Sequence, residues 1–435
     1  MIRENGVKSV LEKYFLAIDI GASGGRHIVG CRRDGVIVTD ETYRFANGVK
    51  NINGSLVWDT DRITESIKEG IDASLAKYPR IESLSVDTWG VDYVLLNGDK
   101  TVYPCHAYRD GRTAPYIEKV HSLVPFGKLY ARTGIQFQPF NTVYQLFADK
   151  ESHRLDDATD FLMMPEYFMY RLTGVKTHEY TNATTGGLVN AVTKQYDCEI
   201  INALGLPQRL FGTLSSPGAP VGEYKGIKVV LCATHDTASA VEGMPLNEDS
   251  LFLSSGTWSL LGAKIASPRT DEKSRECNFT NEGGVGYIRY LKNIMGLWII
   301  QNLQKQTGMS FEEMASAART SRYEKTFDVD APQFLSSADM RKTVAETLGE
   351  SGLSDIDIIN SVYRSLAQSY ARTVAQLEAL LGEKRPELVI AGGGAKNGYL
   401  NELTREFTGK KVTAHPIEAT AIGNLKIQME ADDEL

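Results

Sequence analysis

One local pattern occurs twice in this chain, and it restricts the possible folds more than any other feature. At Tyr14–Ile20 an apolar run reads as a buried strand, Gly21–Gly25 as a tight turn, and Arg26–Arg32 as a second strand returning beside the first. At Ser250–Ile265 the strand LFLSS meets a Gly256-Thr257 tip and the strand WSLLGAKI follows. Two hairpins with small-residue tips, one in each half, predict two related folds rather than one enlarged core. Length agrees, because 435 residues exceed the roughly 250–300 at which single cores stop growing. The division is expected after the helix start ASAVEGM, near residue 245.

Between the hairpins, Ser83–Leu96 is β-rich and punctuated by Asp87, Gly90 and Asp92, and Asp160–Leu172 has helical spacing, as does Ile356–Leu381 beyond the second hairpin. Val229–Ala233 is a further apolar strand and runs into His235-Asp236-Thr237. The fold class is therefore α/β. Apolar residues at 42% and charged residues at 23% match a soluble globular chain. The net charge of −8, from 47 basic and 55 acidic residues without a basic block, argues against nucleic acid or an anionic membrane surface. An anionic substrate would need local help from backbone amides, Lys, Arg or a metal ion. Five scattered cysteines without a CxxC pair fit a reducing, cytoplasmic setting. The N-terminus MIRENGVKSVLEKYFLAIDIG has no apolar signal segment. Nothing else approaches the roughly 18 apolar residues that span a bilayer.

Four motifs carry the chemistry. In Asp19-Ile20-Gly21-Ala22-Ser23-Gly24-Gly25-Arg26, small side chains let backbone N–H groups approach a polyphosphate, Asp19 is placed to hold a hydrated Mg²⁺, and Arg26 to reach phosphate oxygens. Taken alone, such a hairpin is more often an ordinary turn, and no GxxxxGK[ST] loop occurs. Ser254-Ser255-Gly256-Thr257-Trp258-Ser259 repeats the pattern with hydroxyls in place of the carboxylate. Alone it reads as a Ser-rich turn, but paired with the first it can close on one triphosphate from the opposite side. Leu388–Ala391 is a strand that stops at Gly392-Gly393-Gly394, leaving room for a flat adenine or ribose, although a flexible turn would look the same. His235-Asp236-Thr237 puts a carboxylate at a strand end and helix start, where it is either an N-cap or the base that takes a hydroxyl proton. An unperturbed aspartate, near pKa ~3.9, would be ionised at neutral pH.

With these residues in view, the chain resembles the FGGY carbohydrate kinases. The resemblance runs through DIGASGGR, SVDTWGVDYVLL, YRDGRT, TGIQFQPFNTVYQL, MPEYFMYRLTG, EYTNATT, HDTASAV, LSSGTWSL, TNEGG, LKNIMGLWIIQ, AGGGAKN and EATAIGN. It implies two RNase-H-like domains of the actin and Hsp70 type around an ATP cleft. Residues 1–245 would bind sugar and phosphate, and 246–435 nucleotide. It further implies that Ala22, Ser23, Gly24, Gly25, Arg26, Thr257, Asn293, Gln301, Gly393 and Gly394 contact ATP. Gly90, His235, Asp236 and Thr237 would contact sugar, with Asp236 as proton acceptor and Asp19 at the metal. Within the family the segments are most similar to members that phosphorylate L-rhamnulose on its 1-hydroxyl, using Mg²⁺ and ATP. The loop reads ASGGR where the family more often has ASSGR, so one hydroxyl contact to phosphate is expected to be missing. Relatives usually continue for some tens of residues beyond EATAIGN, which implies a shortened chain or an absent closing segment.

Other readings on the sequence alone are a kinase for another ketose such as L-fuculose or xylulose, a non-catalytic sugar or nucleotide sensor on the same fold, and a chaperone-like ATPase of the superfamily, which would be expected to carry a substrate-binding domain. Asp236 separates the second from the first, since a sensor has no need of a carboxylate there. For a 6-deoxy ketose, Trp89, Phe137 and Phe140 are the apolar candidates and Asp87, Asp92, Gln136 and Asn141 the polar ones. Phe140 is the aromatic most expected in the core.

Overall fold

The computed structural model describes residues 12–335, 337–415 and 418–433. Residues 1–11, most of the N-terminal stretch read as lacking a signal segment, lie outside them, as does Leu435. The first half is built on β1 (Phe15–Gly21), β2 (Gly24–Arg33), β3 (Val36–Ala46), β4 (Ser83–Thr88), β5 (Pro220–Tyr224) and β6 (Ile227–Val230). These form one sheet in the order β5-β6-β4-β1-β2-β3, with β1, β4 and β6 parallel and the remaining pairs antiparallel. In the second half, β7 (Ser250–Ser255), β8 (Trp258–Ile265), β9 (Thr280–Gly283), β10 (Ile288–Met295), β11 (Glu387–Ala391) and β12 (Lys411–Ala414) line up as β9-β10-β8-β7-β11-β12.

Without the edge strands β5 and β9, the two sheets have one topology. The run β3-β2-β1-β4-β6 corresponds to β10-β8-β7-β11-β12. The repeated hairpin is thus the visible part of a repeated α/β unit, and the expectation of two related folds holds.

Period-two alternation explains how each sheet is covered. Leu16, Ile18 and Ile20 face a core built with Ile63, Ile67 and Ile71 of α1 (Thr60–Lys77), while Phe15 and Ala17 face the opposite side. That opposite side is covered by α8 (Ala419–Asp433), whose Ala421, Leu425 and Met429 pack on it. α8 follows the strands of the second half in sequence yet packs against the first-half sheet. Gln428 Nε2 donates to the Leu16 carbonyl at 3.0 Å and Asn424 Nδ2 donates to Asp87 at 2.6 Å. In the second sheet, Leu251 and Leu253 face the core that includes α6 (Asp355–Leu381), and Phe252 faces Ala240 and Val241 of α4 (Asp236–Gly243). Helices α4 and α8 therefore lie between the two sheets, and the ends of β1, β4 and β7 open on one cleft.

Two local readings change. Helical spacing over Asp160–Leu172 is only partly realised. Asp160–Met163 pairs as a strand with Tyr93–Leu96, and α3 (Met164–Thr173) starts after it, because this apolar run is buried in a small sheet. The strand expected at Val229–Ala233 leaves its ladder after Val230, and its continuation carries the chain toward His235.

Candidate active site

Asp19 and Asp87 are direct partners on the parallel strands β1 and β4, so their side chains emerge on the same face. β4 is extended by a parallel bridge between Thr88 and His235, and Thr88 N donates to the Thr234 carbonyl at 3.0 Å. This pairing delivers Asp236 as the first residue of α4, with His235 as the N-cap. The N-cap reading of Asp236 is therefore one residue off.

A cavity of about 330 Å³ opens here. Its lining includes the first hairpin tip (Gly21, Ala22, Ser23), Trp89-Gly90-Val91, the His235–Thr237 turn, the second tip (Ser254–Trp258), Asn293 and Gly392-Gly393. Most of the residues expected at the site thus line one cleft between the halves. Among them, Thr257 Oγ1 donates to Gln301 Oε1 at 3.4 Å, linking the tip to the one polar candidate outside the lining on that side.

The first loop is divided in its work. Ala22 and Ser23 form the two-residue tip between paired Gly21 and Gly24. A Cβ at Gly25 would lie 2.2 Å from the Phe45 ring, so this glycine lets β3 pack closely. Arg26 is not among the residues lining the cavity, and its guanidinium is already engaged: it donates to Asp19 Oδ2 at 2.6 Å and pairs with Glu418. In the glycine triplet, Gly394 is closed against Ser255, whose Oγ would be 2.0 Å from an added Cβ, whereas Gly393 has open space and faces the cleft.

Electrostatics set Asp236 apart. Burial, then the nearby Asp19 carboxylate, push its pKa up to about 7. The expectation of an ordinary, fully ionised aspartate is corrected on that ground. About a third of its side chain still faces the cleft, so water tempers that shift. Asp87 is fully buried, and burial together with Asp19 raises it well above the usual carboxylate range. Its Oδ1 has no hydrogen-bond partner among the described residues.

The polar candidates for sugar hydroxyls sort differently from their sequence reading. Asp92 does not face the cleft. It is saturated by Trp58 Nε1 (2.7 Å), Trp89 Nε1 (2.9 Å), Gln145 Nε2 (3.0 Å) and Tyr108 N (3.0 Å), and works as a hub under the cleft floor. Asp87 is likewise taken by Asn424. Gln136 and Asn141 do line the cavity. Gln136 Oε1 accepts from Asn293 N and Nδ2, both at 3.1 Å, which joins the halves across the cleft. The aromatics exchange places. Phe137 packs among His121, Phe126 and Tyr144, while Phe140 lines the cleft between Tyr108 and Trp258.

Three lining features went unread in the sequence. Val91 has φ of 66°, a left-handed conformation rare for a β-branched residue, and Asp92 N donates back to the Gly90 carbonyl at 2.9 Å. Thr185 Oγ1 accepts from Val91 N, while Thr142 and Gln145 donate to the Val91 carbonyl, so three neighbours hold the strained turn in place. Glu282 lines the cleft from β9, and Arg289 of β10, completely buried, pairs with it at 3.1 Å. TNEGG was visible as a segment, but nothing in its spacing announced a partner on the next strand.

Residues 14–236 match the N-terminal domain of the FGGY family of carbohydrate kinases, and residues 251–431 match its C-terminal domain. A rhamnulokinase of Oceanobacillus iheyensis is 41% identical over 97% of this chain and 93% of its own length. A rhamnulokinase of Halalkalibacterium halodurans is 41% identical over 97% and 94%. Among solved structures, the ligand-bound xylulose kinase of Lactobacillus acidophilus superposes with a TM-score of 0.80 at 16% identity, covering 97% of this chain and 90% of that one. Plasmodium falciparum glycerol kinase with ADP gives 0.77 at 14%, covering 98% and 90%. The fold is accordingly shared with these kinases, and this chain belongs to the FGGY family of carbohydrate kinases.

Proposed function

We propose that the protein transfers the γ-phosphoryl group of ATP to the 1-hydroxyl of L-rhamnulose, giving L-rhamnulose 1-phosphate and ADP, as a step of L-rhamnose catabolism in the cytoplasm. The observation that carries the reading is the position of Asp236, which lines the same cleft as both hairpin tips in a chain 41% identical to rhamnulokinases. The two halves, 1–245 and 246–435, are assigned to sugar with phosphate and to nucleotide respectively. No helix among the described residues is long and apolar enough to cross a membrane, and all five cysteines are free thiols.

Phosphoryl transfer leaves the protein mainly positioning and charge stabilisation. Asp236 orients the sugar hydroxyl and takes its proton, a role worth about 10²–10⁴ in rate. Backbone N–H groups of Ala22 and Ser23 on one side and of Thr257 on the other cradle the phosphates, while the Gly256 N–H closes its own turn on the Trp258 carbonyl at 2.9 Å and Gly393 is left bare for the nucleoside. Gly90, His235 and Thr237 hold the sugar. A divalent cation fits the donor set: Asp19 has one oxygen engaged by Arg26, and its partner Asp87 keeps an unpartnered Oδ1. Mg²⁺ is usually held by one or two carboxylates and waters, and Asp19 with Asp87 supplies that number. When bound through Asp19, the ion offsets the negative charge of the triphosphate. ADP release measured across ketoses, with and without Mg²⁺, tests the reading. Turnover of L-rhamnulose above other ketoses supports it, and turnover of none overturns it.

A further inference from the structure

Among the described residues Arg289 is one of the largest completely buried side chains, and its guanidinium reaches two groups that line the cleft, Glu282 and His235. It is the direct cross-strand partner of Glu282 in the antiparallel pair β9·β10, which puts both side chains on one face. Its Nε donates to the Gly283 carbonyl at 2.8 Å, Nη1 lies 3.1 Å from Glu282 Oε2, and Nη2 lies 3.2 Å from His235 Nδ1. A guanidinium has only donors. The nitrogen it faces at hydrogen-bond distance must accept, so the ring proton belongs on Nε2. That nitrogen is 3.4 Å from Asp236 Oδ1.

We propose that Arg289 is a positioning residue for the phosphoryl transfer: by donating to His235 Nδ1 it keeps the imidazole neutral with its proton on Nε2, beside the Asp236 carboxylate, and Glu282 holds Arg289 in turn. The inference rests on the assignment of Asp236 and His235 to the sugar end of the cleft. Its consequence is chemical. A neutral ring with Nε2–H is a fixed donor, and ionised Asp236 next to it is a fixed acceptor. Together they read a pair of sugar oxygens, one accepting from His235 and one donating its proton to Asp236. Because Arg289 and Glu282 come from the second half and His235 and Asp236 from the first, this pattern exists only while the halves are docked.

The surroundings agree. Asp236 on its own helix and Glu282 and Arg289 on the facing strands are the charged groups against His235, whose backbone N approaches Thr181 Oγ1. Lys264 of β8 is the cross-strand partner of Arg289 on its other side, and Tyr180 and Tyr287 lie near enough for its charge to act on their hydroxyls. Burial first, then Arg289, hold His235 well below the ordinary imidazole range. The one competing arrangement is a proton on Nδ1 donated to Glu282 Oε2 at 3.5 Å.

The test is a long-range ¹H–¹⁵N spectrum of the ¹⁵N-histidine-labelled full chain from about pH 5.5 to 8.5, with His235 assigned by His235→Gln. The expected ring keeps Nδ1 unprotonated and Nε2 protonated across the range. In Arg289→Met the ring should titrate or mix tautomers, with kcat/KM for sugar down roughly ten- to a hundredfold and KM for ATP within about twofold. If that variant fails to fold, Arg289→Met with Glu282→Gln removes the charge pair together and should give the same spectrum. A parent ring protonated on Nδ1, one that titrates near neutrality, or a spectrum unchanged by loss of Arg289 would overturn the inference. If the parent spectrum is as expected but L-rhamnulose is not phosphorylated, the tautomer assignment stands and the proposed function fails.

Discussion

Acid should switch this enzyme off through Asp236. The proposed base role requires its carboxyl, pushed up to about 7 by burial and by Asp19, to be ionised. A single group titrating there is about nine-tenths ionised at pH 8 and about one-tenth at pH 6, so kcat/KM for sugar should fall roughly tenfold between them. An ordinary aspartate would leave that interval flat. Asp236→Asn should remove the limb and lower kcat about 10²–10⁴-fold while leaving sugar and ATP affinity within several-fold. Stability moves the opposite way. A carboxyl with a raised folded-state pKa contributes stability below its unfolded pKa, and loses it as pH rises through the folded one. The roughly three-unit rise from 3.8 would be worth about 4 kcal/mol if the group were wholly dry. With a third of the side chain exposed, about 1–2 kcal/mol remains. Asp236→Asn should therefore resist urea better than the parent at pH 8 and equally near pH 4. Profiles of kcat/KM against pH and paired urea titrations measure both. A parent profile flat from pH 6 to 8, or a variant of equal stability at both pH values, would refute the electrostatic argument.

Asp19→Ala should raise the Mg²⁺ requirement and weaken productive ATP binding more than sugar binding, and a Mg²⁺ titration that overlays the parent's would rule this out. Sugar and nucleotide together should reduce the radius of gyration, because tips on different halves meet one triphosphate only if the cleft shuts, and scattering unchanged by both ligands would contradict it. kcat/KM for L-rhamnulose should exceed that for L-fuculose and L-xylulose. Phe140→Ala should narrow the gap to sugars lacking the methyl by about 10–200-fold at most. Trp89 is the poorer probe of this contact, since its Nε1 also serves the buried Asp92 and its ring lies 4.2 Å from that of Trp58. Equal turnover of L-fuculose would sink the sugar assignment and leave the kinase assignment standing.

What the sequence could show was whatever is written in consecutive residues. The hairpins at Tyr14–Arg32 and Ser250–Ile265, the glycine triplet and the helix over Ile356–Leu381 each announce themselves by local alternation, small residues or helical period, and each is in place. What it could not show depends on partners far along the chain. Nothing near Asp92 says that Trp58, Tyr108 and Gln145 saturate it. Arg26 looks free to reach phosphate until Glu418, nearly four hundred residues on, is brought beside it. Phe137 and Phe140 are equally aromatic in a polar segment, and only the turn around Pro139 decides which faces His121 and which the cleft. Arg289 hides for the same reason. A lone arginine in a strand reads as an exposed edge until its register with Glu282 and its reach to His235 are known.

In the proposed reaction one carboxylate, Asp236, in one interdomain cleft governs phosphate transfer to a 6-deoxy ketose. Its most direct test is product analysis of L-rhamnulose with ATP and Mg²⁺, parent beside Asp236→Asn. L-rhamnulose 1-phosphate and ADP are expected in equal amounts from the parent, and at most about one-hundredth of that rate from the variant. ATP consumed without a sugar phosphate, or a variant as fast as the parent, would contradict it.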